Sequence, residues 1–293
     1  MTDGSANERL EPKYRIEDEW NFSIQRMYRQ GFNAMKRPHS HDAYEIYYLL
    51  QGERVYFMNG NVTTVSKGEM MFINPDDLHS TASSETMPEF ERILVNFSHD
   101  FVKQADKEVA ALLPLEQSRL IRFPVQEQTL VEQILERMIL ECKRQEPNYV
   151  SYVRSLLSQL IIIISRVSRM EGATINYAHP MHHKISEIAL YINRHFHEPL
   201  TLDKIAEQFY ISPSYLSRIF KKLTGFHFRE YLQVVRIREA QKRLVETNDS
   251  VQRISEQVGF EHIAHFNKTF KKLTSTTPLK YRKAHRKHEH TKR

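Results

Sequence analysis

Cysteine is nearly missing from this chain. A single one, Cys142, stands among 293 residues, which excludes an internal disulfide framework and fits a reducing compartment. An apolar N-terminal core is missing as well: MTDGSANERLEPKYR contains no stretch of the kind that opens a secretory signal. Long hydrophobic runs are also lacking. The densest, Leu160 to Ile164, is far too short to span a bilayer. These absences lead to the expectation of a soluble, cytoplasmic protein with no membrane partner. What is present suits a globular chain, with 40% hydrophobic residues and enough length for two domains.

Charge is unevenly spread. The net formal charge is +6, but from Met181 onward 22 Lys and Arg stand against 11 Asp and Glu, while the first 180 residues hold 20 against 25. A basic rear half and an acidic front half suggest that only the rear meets a polyanion.

The rear half also repeats itself. SRIFKKLTG (Ser217–Gly225) returns as NKTFKKLTS (Asn267–Ser275), Ile205-Ala206-Glu207-Gln208 aligns with Ile254-Ser255-Glu256-Gln257, and Tyr231 aligns with Tyr281. One supersecondary unit is used twice. The spacing predicts helix-turn-helix in each copy. In the first, Thr201 caps a helix with Leu202, Ile205, Ala206 and Phe209 on its apolar side, and Ser212-Pro213 opens a second helix burying Leu216, Ile219, Phe220 and Leu223. In the second, Asp249 or Ser250 caps, Val251, Ile254 and Val258 face inward, Gly259 makes the turn, and Phe266, Phe270 and Leu273 are expected to be buried. The outward faces carry Ser214, Ser217, Arg218, Lys221 and Lys222 in one copy and Ala264, Asn267, Lys268, Lys271 and Lys272 in the other. Short polar and long basic side chains suit base edges, and the lysine pairs one turn on suit phosphates. A long uninterrupted helix, about Phe228 to Glu246 with Val234, Ile237, Ala240 and Leu244 on its buried stripe, joins the copies. Two reading helices held about 34 Å apart enter successive major-groove segments on one face of B-DNA.

The stretch from about Met181 to Lys283 resembles the DNA-binding domain of the AraC/XylS family of transcription regulators. The residues carrying the likeness are LDKIAEQFYISPSYLSRIFKKLTG, YLQVVRIREAQKRL and ISEQVGFEHIAHFNKTFKKLTSTTPLKYRK. The resemblance implies base-reading roles for Ser214, Ser217 and Arg218 and for Ala264, Asn267 and Lys268. It also implies a homodimer acting on double-stranded promoter DNA, with RNA polymerase as a further partner; activation is the expected mode, with repression left open as the alternative. Tyr210 stands where the second copy has Gly259, which leads to the expectation that the first turn is built differently.

Before Phe97 the period changes to two. YEIYYLLQG, RVYFMNGNVTTV, EMMFINP and FERILVNF read as short strands, with Asn59-Gly60 as a tight hairpin. They suggest a small β-barrel or jelly roll. Within it, His39, His41 and Glu45, with His79 further on, resemble the metal set of the cupin family: His-x-His, three residues, Glu, six residues, then Gly52. The second motif is shortened, with Asp77 where a glycine is usual. Two readings stay open for this set. Imidazoles and a carboxylate suit a divalent transition metal, or the same side chains line a pocket for an organic effector without any metal cofactor. The family resemblance favours the second, an effector site often used for sugars, drawing on His39, His41, Glu45, Tyr47, His79 and Arg92.

From Pro124 to Met170 helical periodicity returns in two amphipathic segments split at Glu146-Pro147-Asn148. Their apolar face, Leu156, Leu157, Leu160, Ile161 and Ile164, serves either to pack on the barrel or to form a dimer interface. The expected class is therefore α+β multidomain. A cupin-like barrel (1–105) precedes a helical segment (106–170), a linker (171–180), an all-α double helix-turn-helix domain (181–285) and a basic tail (286–293). Two functions compete. One is an effector-responsive, DNA-binding transcription regulator with no covalent chemistry. The other is a metal-dependent cupin enzyme or metal sensor fused to a DNA-binding domain.

Overall fold

In β4 (Tyr44–Met58) both faces of a long strand are buried, which is why YEIYYLL reads as a nearly continuous apolar run. Tyr44, Ile46 and Tyr48 enter one core, while Tyr47 and Leu49 enter another. The strand turns at Gly52, whose φ is +87° and whose Cβ, if present, would lie 2.2 Å from the Glu89 carbonyl oxygen. Only glycine fits there. Before the bend β4 pairs with β6 (Glu69–Ile73) and β8 (Phe90–Phe97); beyond it β4 pairs with β5 (Asn61–Ser66) and β7 (His79–Ser83). One strand thus belongs to two facing sheets and makes the corner of a barrel.

A computed structural model of the chain describes residues 8–10, 12–18, 20–35, 38–84, 87–170 and 179–286. The linker expected at 171–180 and the basic tail at 286–293 lie almost wholly outside these residues. Two compact units make up the chain, the first running to His183 and the second made mostly of residues from Lys184 onward.

In the first unit all strand pairs are antiparallel, and β1 (Glu8–Leu10), β2 (Tyr14–Ile16) and β3 (Phe22–Arg29) extend the sheet beyond β8. The sheet path runs β1-β3-β8-β4-β6 and ends on β9 (Arg119–Arg122). The Asn59-Gly60 hairpin forms as expected, with both residues at positive φ between paired Met58 and Asn61. The segment after residue 105 is not helical throughout: following α1 (His99–Lys103) and α2 (Lys107–Ala110), β9 (Arg119–Arg122) returns to pair with β6. Then come α3 (Val125–Arg144) and α4 (Tyr149–Met170), broken where Gln145 and Asn148 take positive φ around Pro147.

Both long helices cover one face of the sheet. Leu156, Leu157, Leu160, Ile161 and Ile164 join Ile46, Phe72 and Val95 in one core. The Tyr149–Arg169 stretch is long and apolar enough to cross a membrane, with mean hydropathy 1.4, but Val153, Leu156, Leu157, Leu160, Ile161, Ile164 and Val167 are buried in this packing. Cys142 lies in the same layer, where burial pushes its thiol up to about 12 and leaves it inert.

The second unit is entirely helical among the described residues: α5 (Pro180–His195), α6 (Leu202–Gln208), α7 (Pro213–Thr224), α8 (Phe228–Glu246), α9 (Val251–Gln257), α10 (Ile263–Thr274) and α11 (Pro278–Arg286). The joining helix α8 has the bounds its sequence predicts. Its first half places Tyr231 against Phe220, ring centroids 5.6 Å apart. Its second half supplies Ile237, Ala240 and Leu244 to a core with Ile254, Val258, Phe266 and Phe270. Val234 is only half-buried.

Candidate nucleic-acid interface and effector pocket

Each helix-turn-helix unit starts from a capped helix. Lys204 N–H donates to Thr201 Oγ1 at 3.3 Å, and Arg253 N–H donates to Ser250 Oγ at 3.1 Å. Ser250 is therefore the second cap, while Asp249 accepts from Gln257 Nε2 at 3.2 Å.

The expectation that the two turns differ is overturned. Tyr210 has φ +57° and Gly259 φ +88°, so both chains reverse through the left-handed region. Ile211 N–H donates to Ala206 O at 2.9 Å, and Phe260 N–H donates to Ser255 O at 3.0 Å, the same closing bond in both copies. Tyrosine takes the left-handed conformation at a steric cost that glycine escapes.

The turn presents α7 and α10 alike. Ser214, Arg218, Lys221 and Lys222 are exposed on α7, and Ser217 is half-buried beside them. Ala264, Asn267, Lys268, Lys271 and Lys272 are exposed on α10. Arg218 lies over the Tyr215 ring, 5.5 Å from its centroid, and Lys221 Nζ donates to His227 Nε2 at 2.7 Å. On the inner side Phe220, Phe266 and Phe270 are fully buried. Leu273 departs from expectation: it is 44% exposed, because the last turn of α10 overhangs the core that Phe266 and Phe270 fill.

The first unit holds a cavity of about 250 Å³ bounded by β3, β4, β7 and β8. Of the six residues expected around an effector, His39, His41, Glu45, Tyr47 and Arg92 line it. His79 does not. It is fully buried behind the wall, its ring 4.7 Å from His39 and 5.2 Å from His41, and its backbone bonds to His39 in both directions at 3.1 Å.

The three imidazoles nevertheless converge, each offering one nitrogen within 4.8 Å of the others. The Nδ1 atoms of His41 and His79 are held by the Ala43 and Asp77 carbonyls at 2.8 and 2.9 Å, so each of these rings turns Nε2 toward the cluster. His79 Nε2 is buried without a hydrogen-bond partner. Imidazoles oriented by backbone carbonyls, with an orphaned nitrogen between them, fit a divalent transition metal.

Glu45 stands slightly apart from the expected four-residue set. Its Oε2 lies 3.2 Å from His41 Nε2, and its Oε1 lies 3.9 Å from His79 Nε2. Burial works to lower the His41 pKa, but the hydrogen bond and charge of Glu45 and the Ala43 carbonyl outweigh it and hold the value above the ordinary one. Burial works to raise Glu45, yet the His41 hydrogen bond and the nearby His79, His41 and Arg92 hold it below the usual carboxylate range. The pair is a buried, charge-assisted contact.

Sequence reasoning missed Arg54, Trp20, Phe90 and Asn96 on the same wall. A signal for Arg54 exists: after the bend at Gly52 it shares the inward side of β4 with Tyr56 and Met58, a charge in an apolar register. It is 2% exposed and stacks on Phe90, 4.2 Å from the ring centroid.

Comparison with known proteins agrees with this division. Residues 25–161 match the model of the AraC-like ligand binding domain, and residues 205–284 match that of a helix-turn-helix domain. The chain belongs to the AraC/XylS family of transcription regulators. Similar proteins include the HTH-type transcriptional activator RhaS of Salmonella arizonae, 28% identical over 244 residues that cover 82% of this chain and 85% of the relative. RhaS of Salmonella typhimurium is likewise 28% identical, over 250 residues with the same coverage. Among solved structures, ToxT from Vibrio cholerae is 12% identical and covers 89% of this chain and 97% of its own, with a TM-score of 0.36. In this AraC-family chain the barrel unit is thus a ligand-binding domain and the helical unit a DNA-binding domain.

Proposed function

We propose that this chain is a ligand-responsive activator that works in the cytoplasm. A small effector in the barrel cavity changes how the paired helix-turn-helix units occupy promoter DNA, and no residue carries out covalent chemistry. The observation that carries this reading is the duplicated turn. Two reading helices with the same closing hydrogen bond sit on one continuous helix, each with an exposed polar and basic face. In this reading Ser214, Ser217 and Arg218, and Ala264, Asn267 and Lys268, face base edges. Lys221, Lys222, Lys271 and Lys272 neutralise phosphates.

The chain acts as a homodimer that contacts RNA polymerase. Support for the dimer comes from apolar side chains left outward on the two barrel helices, Leu130 and Tyr152, each 43% exposed. A fragment beginning at Ala178 is then monomeric by sedimentation; a fragment that dimerises like the full chain contradicts this assignment.

The main test is competition binding at fixed salt, with promoter segments taken from a genome-wide footprint. The chain prefers its promoter to random DNA by about 10³-fold or more. Equal affinity for both would make it an architectural DNA binder instead.

A second reading has one observation in its favour, the buried and unpartnered His79 Nε2. A divalent transition ion on His39, His41 and His79 would make the barrel metal-responsive, the ion ordering the imidazoles and polarising whatever binds beside it. Elemental analysis of the purified chain decides: stoichiometric Fe, Mn, Ni or Zn, lost in His79→Ala, supports it, and metal-free protein that binds none on titration removes it.

A further inference from the structure

Charge in the effector cavity is lopsided. Among the described residues, Lys13, Arg29, Arg54 and Arg92 all line it, against one carboxylate, Glu45. That carboxylate is already engaged by His41 and lies beside His79.

The two arginines on β4 and β8 show the imbalance most clearly. Arg54 gives its hydrogen bonds to neutral acceptors only among those seen: Thr81 Oγ1 at 3.3 Å, the Asn33 carbonyl at 3.2 Å and Ser83 Oγ at 2.8 Å. Its charge is buried without an anion in contact among the described residues. Arg92 Nη1 is buried with no hydrogen-bond partner at all, and its guanidinium lies 5.4 Å from the Tyr47 ring. The charge of Glu45 is shared between Arg92 and His41, so the two guanidiniums are only partly compensated, which costs the empty protein stability. Such a group persists where a ligand supplies the missing charge.

Further features define the ligand. Asn96 Oδ1 is buried and unpartnered on the same wall, an acceptor waiting for a hydroxyl. Trp20, 43% exposed, lies against His41 at 5.1 Å and offers an aromatic face to a ring. The cavity, about 250 Å³, has room for a molecule of monosaccharide size.

We infer that the effector is a small hydroxylated anion, a sugar-sized molecule bearing a carboxylate or phosphate that Arg92 and Arg54 bind from one side while Asn96 takes a hydroxyl. This inference rests on the reading of the cavity as the effector site. It goes further by requiring an anion where a neutral sugar would leave the guanidinium charge unbalanced.

The test uses the full-length chain and its melting temperature, with D-glucuronate, D-galacturonate and glucose 6-phosphate set against neutral D-glucose and D-galactose. Three chains are compared: wild type, Arg92→Met and Arg92→Lys. In the wild type an acid or phosphate probe raises the melting temperature and its neutral parent does not. The uronate and phosphate arms separate the two anion sources. Arg92→Met weakens the anion response about tenfold or more, and it raises the melting temperature of the ligand-free chain, since a charge with a buried, unbonded nitrogen is gone. Arg92→Lys keeps the charge without the fork and retains part of the response. A merely structural Arg92 gives the reverse pattern, with Arg92→Met melting lower and the anion response intact, and that result overturns the inference. Neutral hexoses stabilising as well as their acids overturns the anion requirement and leaves the effector site standing. Silence from both classes overturns the effector-site reading itself.

Discussion

Tyr210 and Gly259 occupy equivalent turns and share the left-handed conformation, yet their surroundings are opposite. Tyr210 is 96% exposed. At Gly259 a Cβ would lie 2.8 Å from the His197 carbonyl oxygen and 2.9 Å from Arg236 Nη2. Arg236 cannot easily yield, because Nε and Nη2 donate to the carbonyls of Phe196 and Glu198, both at 2.8 Å. The second copy therefore needs glycine for two reasons, backbone and space, whereas the first needs it only for the backbone and can carry a side chain into solvent. A repeat can keep its geometry while losing its most recognisable residue, provided the lost residue was not also filling a steric role.

Five substitutions sharpen or break that comparison. The largest effects fall on the shared anchors. Phe220→Ala and Phe270→Ala each remove a fully buried ring and should cost about 3–5 kcal/mol by chemical denaturation. A small loss at one anchor would mean that the copies do not contribute equally. Gly259→Ala should cost about 2 kcal/mol or more, combining left-handed strain with the contacts at His197 and Arg236. Arg218→Ala should leave stability nearly unchanged and weaken specific DNA binding by about 1–3 kcal/mol. An equal loss on random DNA would assign Arg218 to a phosphate. Smallest of all, Tyr210→Gly should stabilise the fold by up to about 1 kcal/mol, strain relief outweighing the added freedom of the unfolded chain. A destabilised Tyr210→Gly would show that the exposed ring makes a contact the turn depends on.

The sequence was most legible where periodicity and packing coincide. The Phe220 and Phe270 anchors, α8 and the break before Tyr149 follow from side chains whose spacing dictates which face is buried. It was less legible where a single turn or a short pairing decides the outcome. β9 has four residues, too few for a period, and is a strand only because β6 is there to pair with it. Leu273 keeps helical spacing but extends beyond the core. In the barrel cavity the H-x-H-x-x-x-E pattern located His39, His41 and Glu45 because they are close in sequence. Arg54 became visible only once the bend at Gly52 showed which side of β4 faces inward.

The central claim is that two equivalent reading helices, fixed along α8, occupy neighbouring major grooves. Hydroxyl-radical footprinting with guanine-methylation interference, at the tightest promoter site, tests it directly. The account predicts that each chain protects two major-groove patches about one helical turn, roughly 10 base pairs, apart on one face of the duplex, and that Arg218→Ala erases contacts in only one of them. A single protected groove per chain, or loss of both patches together, would contradict it.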